Sequence, residues 1–188
     1  MDELKRTIGE DFPHLAERCT FRQEDANIAI VRWVAERNWN KERAVVFLDP
    51  YGFQVSWETV ELLGRTKGVD LWYLFPSPAR LLTRDGVIED SWRTKLTDLF
   101  GTSEWENHFY KRTIAADLFG EYERTERDAT VETIQKFVHD RLQTCFAAVA
   151  PSLVLRNSTG SPLFVLCFAA ANAKGAPTAI RIAKSLLK

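Results

Sequence analysis

The sequence predicts an α/β fold built on a parallel sheet, and two apolar runs and the segment between them point to it. Val45–Leu48 is an unbroken apolar run that is too short for a helix and suits a strand buried on both faces, as parallel sheets require. Val69–Phe75, which is apolar apart from Asp70, is predicted as a second buried strand. The segment between them, Ser56–Thr66, has the pattern of a crossover helix with a serine N-cap.

Composition predicts one ordinary globular domain spanning residues 1–188. Hydrophobic residues make up 45% and charged residues 27% of the chain. No apolar run approaches the ~20 residues of a membrane span, and the charged start MDELKR does not resemble a targeting segment, so we expect a cytoplasmic protein. Lys and Arg number 25 against 26 Asp and Glu, which argues mildly against a stand-alone nucleic-acid binder.

The cysteines predict neither a disulfide framework nor a metal site. Cys19, Cys145 and Cys167 are an odd number and lie too far apart for a zinc or iron–sulfur spacing. We expect all three to be reduced packing residues.

The N-terminal third predicts two helices with a strand between them. Residues 2–11 have helical spacing and Pro13 stops this helix. Cys19–Gln23 is predicted as a short strand. Asp25 then precedes a helical pattern over residues 26–38, in which Asn27 is expected to face water.

Both apolar strands are followed by proline at the position where a binding cleft is expected. Asp49-Pro50 ends the first strand and Phe75-Pro76 ends the second. Ligands of open α/β sheets bind beyond the carboxyl ends of the strands, so we expect both loops to face the same site, next to a central strand.

Residues 77–129 interrupt the alternation and predict a helical insertion. One helix ends at Gly101, and Trp105 and Phe109 indicate a second. Basic residues lie among these aromatics and could form a stacking surface for single-stranded nucleic acid. Acidic residues in the same stretch instead favour a solvated helical face. The basic residues are Arg80, Arg84, Arg93, Lys95, Lys111 and Arg112.

The C-terminal part predicts helix, hairpin and helix. Residues 130–149 have helical spacing and Pro151 ends that helix. Leu153–Arg156 and Leu163–Phe168 suit an antiparallel hairpin around a polar turn, and residues 176–187 form the last helix.

The tetrapeptide Asp49-Pro50-Tyr51-Gly52 resembles the fourth motif of amino-group methyltransferases, and its single-proline form is similar to that of certain tRNA guanine-N2 methyltransferases. The resemblance implies that the Asp49 carboxylate and the Pro50 carbonyl accept hydrogen bonds from an exocyclic amine while Tyr51 stacks on the base. The substrate surface would then include Gly52, Gln54, Phe75 and Pro76. The alternative interpretation is a turn in which Asp49 caps the next segment.

Asp25 carries a second resemblance. Glu24-Asp25-Ala26-Asn27 stands where many such enzymes have Gly-Asp-Ala-Asn, which implies that Asp25 holds the adenine amine of S-adenosylmethionine. A helix N-cap is the favoured interpretation of the same residue.

Most of the chain, from about Asp25 to the end, resembles the three-Cys-motif partner protein family, TcmP. The resemblance rests on RAVVFLDPYGFQVSWETVELLGRTKGVDLWYLFP, LLTRDG, EDSWR and VLRNSTGSPLFVLCFAAANAKGAPTAIRIAKSLL. It implies the second half of a class I methyltransferase (Rossmann-type) fold with a C-terminal antiparallel hairpin, S-adenosylmethionine as cofactor, and a partner protein with a three-cysteine, iron–sulfur-type motif.

One departure from that family concerns the cofactor. Longer members begin with a strand and an Asp-x-Phe-x-Gly-x-Gly loop around S-adenosylmethionine, and no such stretch precedes Leu4 here. We therefore expect a sheet that lacks the N-terminal cofactor-loop half, as in an N-terminally truncated member. Its open edge would need rearrangement, a homo-oligomer, or a separate chain that supplies the missing strands.

Two functions follow from these patterns. The first is S-adenosylmethionine-dependent methyl transfer to an exocyclic amine on nucleic acid. The second is a non-catalytic subunit of the three-cysteine protein. A metal-dependent nuclease using Asp25, Asp49 and Asp70 is much less supported, because no Glu-x-Lys-like arrangement accompanies these residues.

Overall fold

The computed structural model of the chain describes residues 2–78, 82, 87–118 and 120–187. Within them the helices are α1 (Asp2–Asp11), α2 (Pro13–Ala16), α3 (Ala26–Ala35), α4 (Trp57–Arg65), α5 (Asp90–Phe100), α6 (Trp105–Phe109), α7 (Val131–Gln143) and α8 (Ala176–Leu186). The strands are β1 (Ala44–Leu48), β2 (Val69–Pro76), β3 (Tyr110–Asp117), β4 (Gly120–Arg127), β5 (Ala148–Val149), β6 (Leu153–Arg156) and β7 (Pro162–Ala170).

The main sheet is mixed, so the chain is a mixed α/β protein. β1 and β2 pair in parallel, and β7 runs antiparallel to β2. On its other side β7 pairs with both β5 and β6, again antiparallel. The α/β class and the C-terminal antiparallel hairpin are therefore confirmed, whereas the predicted parallel sheet is not found, because β1 and β2 are the one parallel pair among the described strands.

The two faces of the sheet pack against different elements. The larger core lies on one face, where alternate β2 side chains from Val69 to Phe75 pack with α4, α5, α6 and α7. On the opposite face a smaller cluster, which includes Trp72 and Phe168, packs against α8. The Trp72 and Phe168 rings lie 4.8 Å apart between centroids.

β1 differs from the sequence prediction, which placed it at the centre of the sheet with both faces buried. It is an edge strand, since β2 is the only described strand that pairs with it. Val45 and Phe47 are 68% and 59% exposed, whereas Leu48 is buried. The core packs against one face of β1, and no described helix covers the other.

The predicted strand at Cys19–Gln23 is wrong. These residues form no regular structure, and only Phe21 among them is even half-buried. None of the described strands pairs with the segment, so its backbone has no ladder to join. Cys19 is exposed and is not a packing residue, while Cys145 is half-buried and Cys167 is buried; all three are free.

The insertion is not wholly helical. α5 and α6 confirm its two predicted helices, but β3 and β4 form a separate antiparallel hairpin. The base of this hairpin is fixed by Arg127, whose guanidinium donates to the carbonyl oxygens of Leu82 and Ala129. This hairpin has no apolar alternation in its sequence, because most of its described side chains are exposed.

The helix predicted over residues 130–149 ends earlier than expected. α7 stops at Gln143, and Ala148–Val149 pairs with β7 instead. At the start of α7, Thr130 and Thr133 form a reciprocal capping box. Among the described residues no helix has the length and apolar character that crossing a membrane requires.

Candidate functional site

The predicted site residues lie in and around the 49–56 loop, which follows β1. β1 and β2 are parallel with Leu48 opposite Tyr73, so Asp49-Pro50 and Phe75-Pro76 lie at the same end of the sheet. This part of the sequence prediction is confirmed. The loop nevertheless lies at the edge of the sheet and not beside a central strand.

The first residues of the loop are open to solvent. Asp49 is exposed, and no hydrogen bond or ion pair of its side chain is found among the described residues. Tyr51 is 90% exposed, and Gly52 has a φ of 69°, a left-handed conformation that glycine adopts without strain. The unpaired carboxylate of Asp49 and the uncovered ring of Tyr51 thus lie one and three residues beyond the end of β1, in a turn that glycine favours.

Phe75 and Pro76 do not share this exposure. Phe75 is 0% exposed and packs in the core against Tyr73 and Phe100, with ring centroids 5.5 and 5.6 Å away. Pro76 is buried as well. Both residues are part of β2 and, being buried, present no surface to a substrate.

Asn27 connects α3 to the far end of the loop. Its Nδ2 donates to the Gln54 carbonyl oxygen at 2.8 Å, and its Oδ1 accepts from the Thr59 hydroxyl at 2.8 Å. The same Oδ1 accepts from the backbone N–H of Ser56 at 3.0 Å and from the Ser56 hydroxyl at 3.3 Å. Asn27 was predicted to face water; it is half-buried and positions the loop instead.

One sequence signal pointed to this region of the chain, although not to Asn27 itself. Its partners are 27 to 32 positions away along the chain, so local periodicity does not reveal them. The resemblance of Glu24-Asp25-Ala26-Asn27 to a methyltransferase segment had drawn attention to the neighbouring Asp25.

Asp25 is the N-cap of α3. Its Oδ1 accepts from the backbone N–H groups of Asn27 at 2.9 Å and Ile28 at 3.1 Å. The capping interpretation is therefore confirmed. One carboxylate oxygen, Oδ2, is left for an additional contact, and the shared Asn27 brings this cap close to the 49–56 loop.

The middle of the loop rests on the insertion. Phe53 packs edge-on against Trp92 of α5, with centroids 6.4 Å apart. The Lys95 ammonium lies 4.4 Å from the centroid of the same Trp92 ring. Phe53, the residue that follows the exposed turn at Asp49–Gly52, therefore contacts one aromatic ring, and that ring carries a cation.

A groove of ≈ 790 Å³ runs between α3 and α4, beside the Asn27 network. We call it the α3–α4 groove. Ile28 and Val31 form much of its apolar lining and are exposed. Glu58 and Arg65 provide charges along its α4 wall.

The described residues do not support the metal-dependent nuclease. Asp70 lies opposite Val45 in the β1–β2 register. Val45 is four residues before Asp49, so Asp70 and Asp49 lie about 13 Å apart along the strand direction. No group of three or more His, Cys, Asp or Glu side chains within the described ranges could hold a metal ion. Burial raises the pKa of Asp70, against a smaller opposite effect of a hydrogen bond with the Ala171 backbone.

The basic residues of the insertion are mostly paired with acids, as a solvated face requires. Arg93 pairs with Glu106, Lys111 with Asp128, and Arg112 with Glu123. Arg80 and Arg84, which belonged to the same predicted surface, lie outside the described residues.

Comparison with known proteins gave no match, since no protein-family model, no curated protein and no solved structure matches the chain significantly.

Proposed function

We propose that this chain is a methyltransferase-like protein whose 49–56 loop recognises an exocyclic amino group on a base of nucleic acid. The observation that carries the proposal is the exposed, unpaired Asp49 carboxylate beside the 90% exposed Tyr51 ring, at the carboxyl end of a strand. A carboxylate accepts hydrogen bonds from an amine, and an uncovered aromatic ring stacks on any base.

The surroundings of the loop support the same function. Asn27 fixes one end of the loop to α3, so the turn is held and not loose. Lys95, beside Trp92, supplies a positive charge near the turn for a phosphate group. The proposed roles are amine acceptor for Asp49 and the Pro50 carbonyl, and stacking platform for Tyr51.

In this proposal the described residues contribute only part of a site for S-adenosylmethionine. Asp25 spends one carboxylate oxygen on capping α3, which leaves one oxygen for an adenine amine. One charged hydrogen bond contributes about 1.5 to 3 kcal/mol, whereas micromolar binding requires about 8 kcal/mol. In this proposal the chain supplies the amine-recognition half of a class I methyltransferase-like site and another chain supplies the cofactor half.

The test is fluorescence anisotropy with short single-stranded oligonucleotides that differ in one amino group. An oligonucleotide containing guanine is compared with one containing inosine, which lacks the 2-amino group. We expect about tenfold tighter binding of the guanine form, the effect of one hydrogen bond to a charged acceptor.

Two variants separate the proposed roles. Asp49→Ala should abolish the guanine preference without changing the melting temperature, because the side chain has no described partner. Tyr51→Ala should weaken binding of both oligonucleotides, since stacking does not depend on the amine. Equal binding of guanine and inosine by the wild-type chain would refute amine recognition.

A second function is favoured by the α3–α4 groove. Ile28 and Val31 expose an apolar face one helical turn long, which suits a partner helix. This would fit the non-catalytic subunit of a three-cysteine-motif protein that the family resemblance implies. Co-expression with such a protein, followed by affinity purification, should yield a complex that Val31→Arg disrupts and Asp49→Ala leaves intact.

A further inference from the structure

The outer edge of β1, the side of the strand that does not face β2, has unpaired backbone groups. The Ala44 N–H donates to the Gly68 carbonyl oxygen at 3.0 Å, so Ala44 points its backbone groups at β2. Backbone direction alternates along a strand, so Val45 and Phe47 point theirs outward. No described strand pairs with this edge.

A self-complementary row of side chains is formed by these two residues together with Arg43 and Asp49, which flank β1. Arg43, Val45, Phe47 and Asp49 follow one another at every second position, and all four are exposed. The row is positive, apolar, apolar and negative in that order. Reversed, the row presents negative, apolar, apolar and positive, so two copies placed antiparallel match at all four positions.

Three devices that protect many edge strands are absent from residues 44–48 of β1. Natural edges are blunted by proline, by lysine within the strand, or by a bulge. Residues 44–48 are Ala-Val-Val-Phe-Leu, and their pairing with β2 is regular throughout. Two exposed apolar side chains on an open edge are a template for pairing with a second strand.

We propose that two copies of this chain associate through the outer edges of their β1 strands, antiparallel, with Val46 opposite Val46 of the second copy. Val45 then lies opposite Phe47 of the second copy, and Arg43 lies opposite Asp49. The outward-pointing residues exchange their N–H···O bonds in this register, and a two-fold axis makes the interface close on itself. This inference does not depend on the proposed recognition of an amine.

The register gives Val46 a distinctive property. Its own backbone groups face β2, so the pair of Val46 residues is a non-hydrogen-bonded pair, with Cα atoms about 4.5 Å apart. That distance lies at the short end of the range for a disulfide. A cysteine at position 46 should therefore bond to its counterpart, whereas a cysteine at position 45 would face Phe47.

The first experiment is disulfide trapping in the full chain with Cys19→Ser, which removes the exposed native thiol. With oxidised glutathione as the oxidant, Val46→Cys should form a covalent dimer and the matched Val45→Cys should not. Cross-linking of Val45→Cys to the same extent, or none with Val46→Cys, would overturn the proposed register.

The second experiment tests the ion pairs by sedimentation velocity at micromolar concentrations. Wild type should show a monomer–dimer equilibrium, and Arg43→Asp or Asp49→Arg alone should weaken it by about tenfold or more, because like charges then face each other at two symmetric positions. The double swap of Arg43→Asp with Asp49→Arg should restore the dimer. Asp98→Arg, an exposed change on α5, serves as the control.

Two results would reject the dimer itself. One is a monomer at all concentrations, which would leave the edge to a different chain. The other is a dimer that neither single charge reversal weakens, which would place the interface elsewhere. Arg43→Asp and Val46→Cys leave the 49–56 loop unchanged, and both experiments are carried out without oligonucleotide, so failure of the dimer and failure of amine recognition can be told apart.

Discussion

Substituting Asn27 with alanine tests whether α3 holds the 49–56 loop. The change removes one donor, to Gln54, and one acceptor shared by Ser56 and Thr59. Each intramolecular hydrogen bond contributes about 0.5 to 1.5 kcal/mol net, and leaving the 3% exposed Thr59 without this acceptor adds to the loss. We expect the free energy of unfolding to fall by about 2 to 3 kcal/mol. In a chain of this size that lowers the melting temperature by roughly 5 to 10 °C.

The assay is thermal and urea unfolding followed by circular dichroism. Asn27→Asp keeps the acceptor but loses the donor to Gln54, so it should cost about 1 kcal/mol, less than alanine. Asn107→Ala is the matched control, because Asn107 is exposed and its side chain bonds, among the described residues, only to the nearby Glu104. If Asn27→Ala is no more destabilising than Asn107→Ala, the network does not hold the loop.

Three further predictions concern residues outside the loop. Gly101→Ala should lower the free energy of unfolding by more than about 2 kcal/mol, because φ is 66° and a new Cβ would lie 2.2 Å from Trp57. Gly160→Ala is the comparison: φ is 80° but the space around it is open, so backbone strain alone should cost about 1 kcal/mol. Asp70→Asn should raise the melting temperature at pH 7 and have no effect below about pH 3. Because the folded-state pKa of Asp70 is raised, its contribution to stability is complete below the unfolded-state pKa and is lost as the pH rises through the folded-state pKa. Equal shifts of the melting temperature at both pH values would contradict a cost of burying the Asp70 carboxylate. At pH 8 a disulfide reagent should modify one thiol rapidly in the folded chain and three in urea. Cys19 is exposed, whereas burial raises the pKa of Cys145 to about 11 and of Cys167 to about 12. Rapid modification of all three thiols without denaturant would refute this.

Local sequence signals predicted several helix ends correctly, because the hydrogen bonds and backbone conformation of a cap involve only nearby residues. Asp25 and Ser56 each accept backbone N–H groups two or three positions ahead, and Gly101 ends α5 in a left-handed conformation. The capping residue and the backbone groups at that helix end lie within one helical turn of each other, so a local sequence pattern is enough to predict them.

The position of β1 in the sheet could not be predicted in the same way. An apolar run such as Val45–Leu48 indicates that both faces favour burial, but it does not tell whether any other element covers them. The separately predicted strand at Cys19–Gln23 is not formed either, so it supplies no neighbour for the sheet. Exposure of Val45 and Phe47 is thus a property of the whole sheet and not of the run itself.

The missed β3–β4 hairpin and the Asn27 network have a common physical reason. Strand prediction depends on alternation between a buried and an exposed face, and this hairpin packs few of its side chains into a core. Similarly, a polar residue in the first turn of a helix has the same local pattern whether it faces water or a distant loop. Only the fold brings Asn27 to Ser56.

Asp49 belongs to both proposals, and its two roles exclude each other. In the β1–β1 dimer the carboxylate is paired with Arg43 of the second copy, so it is not available to a base amine. Amine recognition therefore requires the monomer, and the guanine preference over inosine should decrease as protein concentration rises through the dimer dissociation range. Arg43→Asp, which weakens the dimer and leaves the 49–56 loop unchanged, should keep the preference at high concentration. A preference that is the same at every concentration, in a wild-type chain that does dimerise, would show that the dimer leaves Asp49 free and that the Arg43–Asp49 pairing is wrong.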